Sequence, residues 1–244
     1  MPCMLCSVPD MKHIKESSVP ALERVREHAA QVFDALVKGG MAVTHLDVAY
    51  AIMARSEASV RRMYAAKGRA FTRPTGIVGN LEAHDALHVL DTRAKDIVRA
   101  VTVTHNLPLS VIAPFRADHP FLKNLDPFVL ANANKDGTLN LLLNAGVLRT
   151  AIADISWRES TPLVGTSANV SLKGSKFRVQ DIEREILDAA DIVVDYGLCK
   201  YHNAEGRSST MIDFRDYSVV RKSVCFEAIA RVMREGFDVS LPVA

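Results

Sequence analysis

Residues 162–171 of the chain read PLVGTSANVS, an apolar run that passes directly into small hydroxyl and amide residues. The apolar part has the length and composition of a buried strand over 163–166. The polar part, Thr166-Ser167-Ala168-Asn169, can present two hydroxyl groups, an amide and backbone donors to a ligand. A Ser/Thr turn that only closes the strand explains the same residues, so both interpretations stay open at this point.

Strand-like and helix-like segments alternate on both sides of this stretch. Apolar runs, mostly rich in branched residues, predict strands over 41–44, 109–113, 138–143, 192–195 and 211–214. Apolar residues at helical spacing predict helices over 22–36, 56–66, 91–104, 146–156, 179–189 and 226–235. This alternation predicts the α/β class, with a partly parallel sheet that is covered by helices and binds ligands beyond strand ends.

Length and composition are those of an ordinary globular protein. The chain has 244 residues, 48% hydrophobic and 24% charged, with a net charge of +2 at pH 7. These values exclude a disordered, collagen-like or polybasic chain. No repeat or linker divides the sequence, so we predict a single domain over 17–244 after a flexible N-terminal lead over 1–16. The lead has no signal-peptide or membrane-span pattern, which predicts a cytoplasmic protein without a membrane partner.

Two groups of residues raise the question of a metal. Cys3 and Cys6, with His13, form at most half of a zinc site, and four cysteines are too few for a disulfide scaffold. His84 and His88 resemble a metalloprotease helix motif that has Asp in place of Glu, which keeps a metal hydrolase open as an alternative. A His pair on an exposed helix face explains the same spacing, and we predict no metal site.

Basic residues are concentrated in the segment 55–73, where six basic residues and one acidic residue give a net charge of +5. Its core, Lys67-Gly68-Arg69, places an ammonium and a guanidinium group two positions apart, so both point to one side of an extended chain. Such a pair suits phosphates or a carboxylate, whereas a solvated basic helix end is the alternative. The basic residues are Arg55, Arg61, Arg62, Lys67, Arg69 and Arg73.

A third polar stretch, Arg207-Ser208-Ser209-Thr210, precedes the predicted strand at 211–214. It again places hydroxyl groups and a cation at a strand edge, although by itself it is only a loop. The glycine patterns of a Rossmann dinucleotide site and of a P-loop are both absent from the sequence, so neither is predicted. The GxSxG pattern that would place a serine nucleophile is absent as well.

Taken in order, these stretches resemble the motifs of the YrdC-like family, the threonylcarbamoyl-adenylate synthases. The family pattern is KxR with a proline seven positions after the lysine, then SAN-x-S, then Ser-Thr followed by two hydrophobic residues and Asp. The resemblance extends over about residues 20–220 and includes Tyr50. The matching residues are Lys67-x-Arg69 with Pro74, Ser167-Ala168-Asn169-x-Ser171 and Ser209-Thr210-Met211-Ile212-Asp213.

The resemblance implies a twisted mixed α/β sheet, flanked by helices, with a basic concave cavity. It further implies that L-threonine, bicarbonate and ATP are joined into threonylcarbamoyl-adenylate, with ATP as a substrate, Mg²⁺ beside it, and release of pyrophosphate. A partner enzyme would then modify adenosine-37 of tRNA. By motif, Lys67 and Arg69 are the catalytic residues, which hold triphosphate and amino-acid carboxylate. The implied substrate- and nucleotide-binding residues are Tyr50, Thr166, Ser167, Asn169, Arg207, Ser209 and Thr210.

The sequence departs from the family pattern in the block that precedes Tyr50. Two threonines of that block, whose hydroxyls help to form the amino-acid pocket, are replaced here by Leu46 and Val48. Leucine and valine cannot make the hydrogen bonds of those hydroxyls, so an amine substrate other than threonine stays open. The RxP segment of the family reads Leu142-Leu143-Asn144, and the glycine after SAN-x-S is Leu172.

A non-catalytic module that binds double-stranded RNA or a nucleotide in the same basic cavity is the alternative function. Shape and phosphate recognition would suffice for such a module. The two functions differ in their dependence on salt, because RNA affinity falls steeply with added salt whereas ATP turnover requires the residues of the nucleotide site.

Overall fold

One mixed β-sheet organises residues 11–242, the part of the chain that the computed structural model describes. Within that part the sheet has ten strands in the order β1-β8-β2-β3-β7-β4-β6-β5-β9-β10. Its strands are β1 (Lys12–Lys15), β2 (Ala42–Thr44), β3 (Ala51–Ala54), β4 (Gly76–Ile77), β5 (Leu109–Pro114), β6 (Thr138–Leu143), β7 (Val164–Ser167), β8 (Ile192–Asp195), β9 (Met211–Asp213) and β10 (Ser218–Arg221). Parallel and antiparallel neighbours both occur, which confirms the predicted mixed α/β class.

Helices cover both faces of this sheet. They are α1 (Leu22–Val37), α2 (Glu57–Ala66), α3 (Leu81–Leu87), α4 (Thr92–Arg99), α5 (Pro120–Lys123), α6 (Pro127–Ala133), α7 (Val147–Arg158), α8 (Arg184–Asp188) and α9 (Phe226–Phe237). A π-helical turn at Ala100–Thr104 continues α4, and a 3-10 turn at Val179–Asp181 precedes α8. The helices predicted over 91–104 and 179–189 are therefore each divided into two pieces.

Alternation along the strands separates the core into two parts. Ala42 packs against the buried face of α1 and α7, whereas the next residue, Val43, joins the larger cluster on the other side of the sheet. Ile52 and Met53 alternate in the same way in β3. Successive side chains of a strand point to opposite faces, so each central strand supports both cores.

The N-terminal end of the described chain differs from the prediction of a flexible lead over 1–16. Lys12–Lys15 forms β1, which pairs in parallel with β8, and His13 lies opposite Val193. These residues were predicted to be loose because a four-residue edge strand with two lysines has no apolar signal. Cys3 and Cys6 lie outside the described residues.

His84 and His88 are buried, which corrects the prediction of a His pair on an exposed helix face. Both side chains are fully shielded from solvent, and their Nδ1 atoms lie 2.9 Å apart. The pair packs inward because His84 belongs to the buried face of the short helix α3. In residues 11–242 no group of three or more His, Cys, Asp or Glu side chains is placed to hold a metal ion. The same residues contain no helix that is long and apolar enough to cross a membrane.

Candidate functional site

A cavity of about 210 Å³ lies over the central strands of the sheet. Strands β3, β7, β4, β6, β5 and β9 all contribute to its walls, together with α7 and the loops that precede β3, β4 and β9. Its polar walls carry hydroxyl groups and three arginines, and the rest of its walls is apolar. The charged and hydroxyl-bearing residues are Arg69, Arg149, Arg221, Ser110, Thr166, Ser167, Ser208 and Ser209.

Arg69 reaches the cavity from the loop between α2 and β4. Its Nη1 donates to Thr166 Oγ1 at 2.9 Å, and its Nη2 donates to the carbonyl oxygen of Pro74 at 2.6 Å. Its Nε donates to the carbonyl of Arg73, three residues before β4 begins. Burial lowers the pKa of Arg69. All of these acceptors are neutral, so the positive charge of the guanidinium is not balanced by them.

Arg149 lies in the first turn of α7 and is almost completely buried, with 5% of its surface exposed. Its Nη1 donates to the carbonyl of Gly79 at 3.0 Å, and its Nη2 lies 3.5 Å from the carbonyl of Ile77. Burial lowers the pKa of Arg149 to about 10, so the side chain stays charged at neutral pH. A buried charge without an opposite charge is costly, and this one faces a cavity.

Arg221, at the end of β10, completes the group. Its Nε donates to the carbonyl of Ser209 at 2.9 Å, and its Nη2 donates to Ser209 Oγ at 3.1 Å. The hydroxyl of Ser209 in turn lies 2.9 Å from that of Ser110. Burial lowers the pKa of Arg221 as well. The arginine therefore positions two hydroxyl groups of the cavity wall.

Within the described chain none of these three arginines has a carboxylate oxygen within 4.0 Å. The residues that line the cavity include no Asp or Glu side chain. Three unbalanced positive charges in a partly buried site produce a strongly positive potential, which attracts anions such as phosphates and carboxylates. The cavity is thus basic.

Lys67 is buried beneath the cavity wall and is not among the residues that line it. Its Nζ donates to the backbone carbonyls of Ser167 and Asn169, the second at 2.7 Å, while its own carbonyl accepts a bond from Ser171 N at 2.9 Å. Burial, with the nearby charge of Arg69, lowers the pKa of Lys67 to about 7. The side chain holds the loop over 167–171 in place and does not face open space.

The other residues predicted for the site divide into two groups. Tyr50, Thr166, Ser167 and Ser209 line the cavity together with Arg69. The hydroxyl of Tyr50 lies 2.6 Å from Asp195 Oδ1, and burial raises its pKa, so this residue stays neutral.

Asn169, Thr210 and Arg207 do not line the cavity. Asn169 is buried, and its Nδ2 donates to the carbonyl of Val170 at 2.6 Å. Thr210 is buried, and its Oγ1 donates to the carbonyl of Val224 at 2.8 Å. Arg207 is exposed in the loop before β9.

Two of the three cavity arginines, Arg149 and Arg221, were missed by reasoning from the sequence. Arg149 follows two apolar residues in a helix, where an arginine is ordinarily solvated. Arg221 stands beside Lys222 at the end of an edge strand, another position typical of a surface cation. The sequence did offer one signal. Leu142 stands where the RxP segment of the family has arginine, so another arginine was to be expected at the predicted basic cavity.

An apolar wall belongs to the same cavity as Arg149. It is formed by Leu46 and Val48, which are both buried, and by Leu142 of β6. The amide of Asp47 donates to the carbonyl of Ala145 at 2.8 Å, which fastens this segment to the start of α7. The segment with Leu46 and Val48 is thus attached to the start of the helix that carries Arg149.

A mixed α/β sheet with an arginine-lined cavity at its centre defines a class of domain with a basic site. Comparison with known families gives that class a name: the Sua5_yciO_yrdC family model, described as "Telomere recombination", matches residues 34–223. The chain belongs to the Sua5/YciO/YrdC family, as the resemblance implied.

Individual relatives are more distant. A putative threonylcarbamoyl-AMP synthase of Methanocaldococcus jannaschii is 25% identical over 215 residues, which cover 85% of this chain and 92% of that protein. A hypothetical protein of Streptococcus mutans UA159 has a TM-score of 0.76 at 18% identity, covering 95% of this chain and 97% of that one. P. abyssi Sua5, solved in complex with L-threonine, has a TM-score of 0.67 at 17% identity. That match covers 96% of this chain, which spans only 62% of the Sua5 chain. These structural similarities confirm the predicted fold.

Proposed function

We propose that the chain is an ATP-dependent transferase that forms a carbamoyl-adenylate from an amino acid, bicarbonate and ATP. The observation that carries the proposal is the convergence of three arginines without acidic partners on one cavity. ATP, bicarbonate and amino-acid carboxylate are all anions, and such a cavity suits all of them. The name of the archaeal relative, a putative threonylcarbamoyl-AMP synthase, supports the same class of reaction.

The proposed reaction has two steps. The neutral amine of the amino acid attacks bicarbonate, forming a carbamate and releasing water. An oxygen of the carbamate then attacks the α-phosphorus of ATP, the bond from that phosphorus to the bridging oxygen breaks, and pyrophosphate leaves. No covalent bond to the protein is formed, so the protein contributes positioning and charge neutralisation.

In this scheme Arg69 and Arg221 bind the phosphates and stabilise the negative charge that develops on pyrophosphate. Ser167 and Ser209 supply hydroxyl groups to the same ligand. Lys67 acts through the loop over 167–171, which it holds by two carbonyl groups. It is therefore a positioning residue in this proposal, whereas the motif alone assigned it direct contact with phosphate.

Mg²⁺, which the resemblance implies, would accompany ATP as part of the substrate. The described residues that line the cavity offer hydroxyl and carbonyl oxygens but no carboxylate. Protein sites for Mg²⁺ ordinarily supply one or two carboxylates in addition to substrate phosphates. The described cavity lining therefore offers Mg²⁺ no carboxylate ligand, and no step proposed here depends on a magnesium site of the protein. The carbamoyl-adenylate would pass to a partner enzyme that modifies adenosine-37 of tRNA.

RNA binding is the second candidate function, and an exposed basic and aromatic surface favours it. The Arg61 guanidinium lies 4.0 Å from the ring centroid of Phe128, and Phe71, which is 45% exposed, stacks on Tyr64. Such surfaces combine phosphate contacts with base stacking. Glu57 already pairs with Arg61, which reduces the charge available to RNA.

Release of pyrophosphate from ATP tests the proposed function directly. The protein is incubated with ATP, Mg²⁺, bicarbonate and each of a panel of amino acids, and Arg221→Met is measured beside the unaltered chain. Arg158→Met is the matched control, because Arg158 is an exposed arginine that is not among the residues lining the cavity. We expect amino-acid-dependent release that Arg221→Met abolishes and Arg158→Met preserves.

Two outcomes would contradict the proposed enzyme. One is the absence of release with every amino acid in the panel. The other is release that Arg221→Met leaves unchanged. Binding of double-stranded RNA that weakens steeply with added salt, in a protein without such release, would favour the second candidate.

A further inference from the structure

We propose that Arg149 and the apolar wall of the same cavity select the amino acid: Arg149 binds its carboxylate, and Leu46, Val48 and Leu142 accept an apolar side chain. The inference rests on the proposed function, since it names the substrate class of that reaction. It predicts that valine or a similar aliphatic amino acid is preferred to threonine.

The surroundings of Arg149 point to an anionic ligand. Its two hydrogen-bond acceptors, the carbonyls of Gly79 and Ile77, account for two of its five N–H groups and carry no charge. The side chain is 5% exposed and contributes to the cavity wall. A planar guanidinium in this setting fits a carboxylate, because two parallel N–H groups match its two oxygens.

The position of Arg149 along β4 separates it from Arg69. Arg69 contacts the carbonyl of Pro74, ahead of β4, whereas Arg149 contacts that of Gly79, beyond its end. The two arginines therefore bind different anionic groups, which fits a nucleotide phosphate at one end and a carboxylate at the other.

The side chains that accompany Arg149 are apolar. Leu46 and Val48 are 3% and 1% exposed, and the hydrogen bond from Asp47 to Ala145 holds their segment against the start of α7. None of the three wall residues has a side-chain donor or acceptor. A hydroxyl group placed against them loses its bonds to water without replacement, which disfavours threonine relative to valine by about 10- to 100-fold.

Valine and threonine form a suitable test because they have nearly the same shape. Their binding to the protein is measured by calorimetry in the presence of a non-hydrolysable ATP analogue. We expect valine to bind at least about tenfold more tightly than threonine, and valinamide, which lacks the carboxylate, to bind no more tightly than threonine. Equal or tighter binding of threonine would overturn the apolar preference, and failure of every amino acid to bind would overturn the whole inference.

Arg149→Lys tests the role of the guanidinium, with Arg158→Lys on the same helix as the exposed control. Lysine keeps the charge but loses the planar pair of donors. We expect Arg149→Lys to weaken valine binding about tenfold and to leave binding of the ATP analogue unchanged, whereas Arg158→Lys alters neither. Unchanged valine binding in a folded Arg149→Lys protein would overturn the carboxylate assignment.

A gain of function complements this loss. Val48→Thr replaces a methyl group by a hydroxyl at nearly constant volume, so we expect the preference for valine over threonine to shrink severalfold. If the ratio of valine affinity to threonine affinity were the same in Val48→Thr as in the unaltered protein, Val48 would not contact the amino-acid side chain.

These measurements also separate the inference from the function on which it rests. Arg149-dependent valine binding without pyrophosphate release would contradict the enzyme but retain the pocket. Threonine-dependent release that is insensitive to Arg149→Lys would retain the enzyme and overturn the pocket.

Discussion

The ammonium group of Lys67 lies 2.7 Å from the carbonyl oxygen of Asn169, a residue 102 positions further along the chain. The contact joins the end of α2 to the loop that follows β7. Both partners belong to motifs that identify the family, so the two motifs are connected in the folded chain by a bond within the protein.

Lys67→Met should loosen this loop. The substitution removes the donor and leaves the carbonyl of Asn169 without that partner, at a cost of about 1–3 kcal/mol, whereas the carbonyl of Ser167 keeps the bond from Asn169 N. Amide exchange followed by mass spectrometry should become faster over 167–171, while exchange in α1 stays unchanged. Lys123→Met, at an exposed position, is the control. Protection of the loop as in the unaltered protein would show that the lysine does not hold it.

The same lysine should also make stability depend on pH. Burial lowers the pKa of Lys67 to about 7 in the folded state, against 10.5 for the ordinary side chain. Between these two values the unfolded state binds more protons, so the free energy of unfolding rises with pH by up to about 1.4 kcal/mol per unit. Urea unfolding at pH 7 and pH 9 should show this rise in the unaltered chain, relative to Lys67→Met. If the free energy of unfolding changed equally with pH in the two proteins, the lowered pKa of Lys67 would be contradicted.

The buried histidine pair should limit stability in acid. Burial lowers the pKa values of His84 and His88 to about 4 and 3, so the folded state resists protons that the unfolded state takes up. Stability due to the pair is largely present above about pH 6.5 and is lost as the pH falls from there through about 4 and 3. We expect the double substitution His84→Leu with His88→Leu to flatten this dependence in unfolding experiments.

A double-mutant cycle on the same pair gives a second measurement. Replacing both partners of a buried hydrogen bond by apolar groups is nearly neutral, whereas replacing one leaves the other unsatisfied. We expect each single leucine variant to lose about 1–3 kcal/mol of stability at pH 7, and the double variant to lose less than the sum. Additive losses would show that the two rings do not interact.

Gly146→Ala should disturb the cavity from its rim. Gly146 has φ of 113°, and a Cβ atom there would lie 2.7 Å from Asp47 Oδ1. We expect a loss of about 1–3 kcal/mol in stability and weaker amino-acid binding, because Asp47 carries the segment with Leu46 and Val48. Gly236→Ala is the matched control, since a Cβ there meets open space within α9 and should stabilise the helix. Equal effects of the two substitutions would contradict the argument.

Arg221→Met should weaken ATP binding by about 10- to 100-fold, because charge-assisted hydrogen bonds to a phosphate contribute about 1.5–3 kcal/mol. Calorimetry with a non-hydrolysable ATP analogue measures this, with Arg158→Met as the control. The expected loss is greater than that of Arg149→Met, whose side chain we assign to the carboxylate. A greater loss of ATP-analogue binding in Arg149→Met than in Arg221→Met would contradict the assignment of Arg221 to phosphate and of Arg149 to carboxylate.

Much of the fold could be predicted because long apolar strands have a clear pattern. The strands β6 (Thr138–Leu143) and β8 (Ile192–Asp195) have the predicted bounds. By contrast, β4 contains only Gly76 and Ile77, too few residues for any periodicity to appear. The edge strand β10 consists of partly exposed residues and lacks a buried face that could indicate it.

Less of the site could be predicted, for a physical reason. Motifs reveal which residues recur together but not whether a side chain faces a ligand or the protein, and Lys67 is the clearest instance. The apolar positions Leu46 and Val48 were recognised as departures, and both line the cavity. Arg149 acquires its importance only from the distant segments that bury it.

The place of β8 between β1 and β2 bears on how the molecule is made. Lys12 and Ala42 both pair with Ile192, so the first two strands emerge from the ribosome long before the strand that joins them. Contacts of such high sequence separation slow folding. During synthesis the edges of β1 and β2 that pair with β8 therefore stay unpaired until nearly four-fifths of these 244 residues have been made. Unpaired strand edges promote aggregation, so a chaperone would be most useful in this interval.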